Sequence, residues 1–148
     1  MRNITSRIFL LILISFAIVS TTNAANAVLD ANTASKEAIA ALPHMDDVLA
    51  GVVIEHRPFV NIGELNHLLS SDLDDDQLEE LYGRLFIAIN LNDAKRSDIL
   101  LIPGVGKRMA HEFEEYRPYS NLEQFRREMG KYVDEQEVAR LELYVTLD

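Results

Sequence analysis

The stretch Ile99-Leu100-Leu101-Ile102-Pro103-Gly104-Val105-Gly106-Lys107-Arg108-Met109-Ala110 decides how this chain is read. Its left side is apolar, a proline stops whatever helix precedes it, and two glycines flank one valine before a basic pair. Proline ends a helix because it lacks an N–H and clashes with the preceding turn. Glycine permits a positive φ and lets a partner approach the backbone closely. Val105 is placed to pin such a turn onto a core. The amides that open the next helix then face outward, where the partial positive charge of a helix N-terminus favours an anion. Lys107 and Arg108 add two full charges at that same end. The pattern predicts two helices joined by a tight turn with a phosphate-sized anion site at Gly104, Val105, Gly106, Lys107 and Arg108.

Sliding the chain against itself shows that this unit occurs twice. At an offset of 60, without a gap, residues 29–88 and 89–148 share 11 identities. Asn32 falls on Asn92, Ala34 on Ala94, Ile39 on Ile99, Pro43 on Pro103 and Asn61 on Asn121. Arg57-Pro58 falls on Arg117-Pro118, and Asp74 on Asp134. Prolines, capping residues and apolar positions stay in register, which marks a repeated structural unit.

Each unit reads as four short helices. Asn32-Thr33 is expected to cap the first, carrying Ile39 and Leu42 and stopped by Pro43. Asp46 to His56 continues as a helix with Val48, Leu49, Val52 and Val53 on one side, and the proline at 58 ends it. Asn61 caps a third helix carrying Leu65, Leu68 and Leu69. Asp74 with Gln77, and Asp134 with Glu137, have the spacing of a capping box for a fourth, whose stripe runs Leu78, Leu81, Leu85. Phe86 to Leu91 reads as a linker. The predicted class is all-α: a unit at 28–88 and a second at 89–148. A bundle of about 60 residues is marginal alone, so the two should share an apolar seam.

Residues 1–27 stand apart. Arg2 and Arg7 precede the 12-residue run Ile8–Val19, apolar but for Ser15, and small residues lead to Ala24 and Ala27. A basic start, a short apolar stretch and a small-x-Ala site make a secretory signal. The run falls short of the roughly 20 residues that span a bilayer. Cleavage after Ala24 or Ala27 and export to the periplasm or the medium are expected, a retained N-terminal anchor being the alternative.

The Ile102-Pro103-Gly104-Val105-Gly106 turn, Asn92-x-Ala94 and Tyr116-Arg117-Pro118-Tyr119 resemble the helix-hairpin-helix domain of ComEA-type competence proteins. Asn32-Thr33-Ala34-Ser35, Leu42-Pro43 and Arg57-Pro58-Phe59 resemble the same pattern, so the likeness covers two tandem copies. The resemblance implies an exported module that binds double-stranded DNA without sequence preference, as in DNA uptake, with Gly104, Val105, Gly106, Lys107 and Arg108 on the phosphate backbone. The first copy departs from the pattern. Its turn reads Pro43-His44-Met45-Asp46-Asp47, with two carboxylates where a phosphate would sit. It is read as a degenerate structural repeat, or alternatively as a site for a basic protein partner at Asp46 and Asp47. The extrinsic photosystem proteins of the PsbU kind show that an exported helix-hairpin-helix fold can serve as a scaffold without DNA.

Charge sharpens the contrast. The whole chain carries 14 basic and 24 acidic residues, a net −10. Residues 28–88 hold three basic and twelve acidic, net −9; residues 89–148 hold nine and twelve, net −3. A net acidic chain argues against non-specific nucleic-acid binding by bulk charge. The basics of the second unit nevertheless cluster as Lys95-Arg96, Lys107-Arg108 and Arg126-Arg127 with Lys131, which could form a local stripe. No cysteine is present, so disulfides and thiol chemistry are excluded. The acidic run Asp72–Asp76 fails as a calcium loop, because Gln77 and Gly83 stand where such a loop needs glycine and glutamate. The four histidines lack zinc-site spacing, and no serine has a nucleophile-elbow setting. No metal, no cofactor and no enzyme activity are expected.

Overall fold

A computed structural model describes residues 27–147. The remainder of the expected export signal lies outside the described residues. The order of elements is β1 (Leu29–Asp30), α1 (Lys36–Ala40), α2 (Asp47–Glu55), α3 (Ile62–Leu69), α4 (Asp75–Tyr82) and β2 (Leu85–Phe86). The same series follows as β3 (Ile89–Asn90), α5 (Arg96–Ile99), α6 (Lys107–Glu115), α7 (Leu122–Met129), α8 (Glu135–Glu142) and β4 (Val145–Thr146). The bounds of α2, α3 and α4 recur in α6, α7 and α8 at the offset of 60, and so do those of the strands. The protein is mainly helical, and among the described residues no helix is long and apolar enough to cross a membrane.

The segment read as a linker carries two of the strands. β1 pairs in parallel with β2, and β3 with β4, so the first residues of each copy are bonded to its last. Parallel neighbours need a long crossover, and here the four helices supply it. Two-residue strands whose partners lie some 56 positions away leave no alternating pattern to read. The same pairing moves Leu85 out of the fourth helix, which ends at Tyr82, and into buried β2.

Capping was legible where the partner lies three residues away. Asn61 Oδ1 accepts from the Glu64 amide at 3.0 Å. Asp74 and Gln77 form the full reciprocal box, at 2.9 and 3.0 Å. In α8 only half of it forms, since the Glu137 carboxylate turns to Arg140 instead. Asn32 does not cap α1. Ser35 does, through its Oγ. Asn32 instead holds the backbone of Phe59 from both sides, accepting from its N–H at 2.8 Å and donating to its carbonyl at 2.9 Å. Asn92 holds Tyr119 in the same way.

Arg57 and Arg117 complete this fastening. Arg57 donates to the carbonyls of Ala31 and Ala34, and Arg117 to those of Leu91 and Ala94, all at 2.6–2.9 Å. Both Arg–Pro peptide bonds that follow are cis. The repeated asparagine and arginine are thus buttresses between the start of each copy and the loop after its second helix. Val48, expected on the inner side of α2, is 72% exposed, whereas Val53 is fully buried.

The two copies share one core. The Phe86 ring, from the end of the first, meets that of Tyr144, near the end of the second, edge-on at 4.9 Å. Ile87, Ile89 and Leu91, where one copy passes into the next, are buried in the same cluster. This is the apolar seam that the small size of each bundle requires.

Candidate nucleic-acid interface

The two turns have the same backbone course. Gly104 sits at φ 76° and His44, at the matching position, at φ 61°. Such a conformation costs a side-chain-bearing residue about 1–2 kcal/mol. In the first copy the His44 ring is held by Glu80 of α4 at 2.7 Å. In the second, Arg140 of α8 stands where Glu80 does and donates to the carbonyl of Pro103 at 2.8 Å.

What differs is the start of the following helix. In the first copy Asp46 caps α2, and its Oδ1 accepts from the amides of Val48 and Leu49 at 2.9 and 2.8 Å. A carboxylate therefore already sits on the positive end of that helix. Gly106 occupies the matching position before α6 with no side chain to offer, and no side-chain cap is made. The amides of Arg108 and Met109, which match those of Val48 and Leu49, are left without a side-chain acceptor from the cap position. A Cβ built at Gly106 meets nothing within 4 Å, so the space beside those amides is open.

The structure brings Gly104, Gly106, Lys107 and Arg108 together on the surface, all exposed. Among the described residues neither Lys107 nor Arg108 is paired with a carboxylate, so their charges remain available. Val105 is only 7% exposed, and its amide donates to the Ile102 carbonyl at 3.0 Å. It fixes the turn from inside.

Of the other basics in the expected stripe, Lys95 is exposed and makes no ion pair among the described residues, whereas the rest are engaged. Arg96 reaches the Lys107 carbonyl and Glu114. Arg126 grips Glu142 and Glu123, while Arg127 and Lys131 both hold Glu128. The hydrogen bond from Arg126 holds the Glu142 carboxyl below its ordinary range, and Lys131 does the same to Glu128.

Two acidic residues on α4, Asp75 and Glu79, are part of the site, and the sequence reading placed neither of them there. The Gly104 amide donates to Glu79 Oε1 at 3.1 Å. With Asp75, Leu78 and Tyr82, Glu79 forms one wall of a cleft of about 460 Å³ whose other wall is the second turn. The first copy therefore places a carboxylate on one amide of the second copy's turn and leaves the amides beyond Gly106 open. The only trace in the sequence is a break in the repeat, because Glu79-Glu80 becomes Ala139-Arg140. No family model matches this chain, and searches of curated proteins and of solved structures find no similar one.

Proposed function

We propose that this chain is an exported binding protein, not an enzyme, that holds duplex DNA by its phosphate backbone at the start of α6. The observation that carries the reading is the exchange of Asp46 for Gly106. In the first copy a carboxylate occupies two helix-start amides; in the second the same amides stand open beside two unpaired cations. A helix N-terminus with adjacent Lys and Arg binds phosphate oxygens and reads no base. The tandem resemblance to helix-hairpin-helix proteins of DNA uptake supports the same partner, and the basic-then-apolar start of the chain supports the periplasm or the medium as its location. In the first turn Asp46 is engaged by its own helix, which supports a structural role there over a binding site for a basic protein.

The test is a fluorescence-anisotropy titration of the mature protein with duplex DNA from about 20 to 200 mM salt. Two or three phosphate contacts give a slope of log K against log salt near −2. Lys107→Asp should abolish measurable binding. Absence of binding at the lowest salt, or equal binding by Lys107→Asp, would refute the reading.

A further inference from the structure

The groove of the first copy that receives the second turn has an unfilled counterpart in the second copy. The first groove is built from Asn66, Asp75, Leu78, Glu79 and Tyr82, and residues 100–106 lie against it. Sixty positions on, Arg126, Glu135, Val138, Ala139 and Glu142 line a second groove of about 750 Å³ between α7 and α8. The same pair of positions closes each groove. Tyr82 Oη donates to Asn66 Oδ1 at 2.9 Å in one, and Arg126 Nε to Glu142 Oε2 at 2.7 Å in the other. Among the described residues no turn of this chain lies in the second groove. The chain does, however, own another turn of the fitting shape. Its first turn, residues 40–46, has the left-handed residue in the same place as the second, and none of its residues lines either groove.

Charge distinguishes the two grooves. Within the molecule, a groove carrying Asp75 and Glu79 meets a turn carrying Lys107 and Arg108. In the second groove Arg126, Arg127 and Lys131 stand where the first has Asn66, His67 and Ser71, and the first turn carries Asp46 and Asp47. The second groove also carries Asp134, Glu135 and Glu142, so its lining is balanced where that of the first is acidic, and the turn offered to it is acidic where the other is basic. A balanced lining admits an acidic turn that the acidic first groove would repel.

We propose that the groove between α7 and α8 takes the first turn of a second copy of this chain. Molecules then join head to tail through the contact that already joins the two copies inside each one. Such an interface is heterologous: each molecule contributes a groove at one end and a turn at the other, so growth continues until it closes on itself or runs on as a filament.

Sedimentation velocity of the mature protein across roughly 1 to 500 µM tests this. The weight-average sedimentation coefficient should rise continuously with concentration. Ala139→Arg fills the groove at an exposed helical position, and Asp47→Lys reverses the turn's charge without touching the Asp46 cap. Each variant, with its helical circular dichroism intact, should sediment as one small species. An equimolar mixture of the two should form a heterodimer, since one retains the turn and the other the groove. A wild-type chain that stays monomeric throughout would overturn the proposal, as would assembly indifferent to Ala139→Arg. Two folded variants that fail to complement each other while the wild type assembles would overturn it too.

Discussion

At Gly106, stability and binding pull in opposite directions. Its φ of −87° is one any residue adopts, and a side chain there meets open space. An aspartate would therefore cap α6 as Asp46 caps α2. Gly106→Asp should raise the melting temperature, since a carboxylate cap stabilises by up to about 1 kcal/mol over glycine, while abolishing DNA binding by filling the anion site. Thermal melting and anisotropy on the same preparation check both signs, and a fall in both would refute the account. Glu79 allows the converse experiment. Glu79→Ala frees the Gly104 amide and removes a carboxylate from the site, so duplex affinity should rise by roughly threefold to tenfold at low salt. Gly104 was legible in the sequence because a glycine after proline between two apolar runs marks a left-handed turn. Glu79 was not, because nothing local in an acidic helix reveals which carboxylate meets an amide 25 residues further on.

Among the elements, the helices were readable and their fastenings were not. Asn61, Asp74 and Asp134 cap helices whose acceptor and donor lie within one turn, so spacing alone locates them. Asn32 has the right residue type for a cap but bonds 27 residues away, and Ser35 takes the role. Short strands escaped for the same reason, since their pairing is entirely non-local. The identities of the repeat nonetheless mark these buttresses. Asn, Arg and Pro recur in both copies while the turns diverge, which separates what the fold needs from what the second turn does. Asn92→Ala removes both hydrogen bonds to the Tyr119 backbone. It should cost about 2 kcal/mol of unfolding free energy, measured by urea denaturation, with duplex affinity of the folded protein unchanged.

For the whole molecule, the shared core makes the two copies one cooperative body and sets its response to alkali. Burial raises the hydroxyl pKa of Tyr82, Tyr119 and Tyr144 above the ordinary tyrosine range, so the fold favours their neutral forms. The unfolded chain releases these protons near pH 10 and the folded chain only higher. Their contribution is thus complete below about pH 10 and is lost as pH climbs through the folded values. Denaturant midpoints measured at pH 9 and pH 11 should fall by a clear margin at the higher pH, for probes in both copies alike. Overall charge was a poor guide at this scale. The excess acidity lies mostly in the first copy, yet Glu79 carries it onto the face of the second turn.

The pairing of each copy's first residues with its last also decides how the protein meets force. β1 and β2 run parallel, and the chain enters at the start of one and leaves at the end of the other. Tension applied across a copy therefore slides the strands past each other instead of peeling them apart. The Leu29–Arg84 and Ala31–Phe86 hydrogen bonds take the load together, as the Ile89–Tyr144 and Leu91–Thr146 bonds do in the second copy. The helices and the second turn lie behind these two shear clamps, and a pull on the chain ends reaches them only after a clamp has yielded.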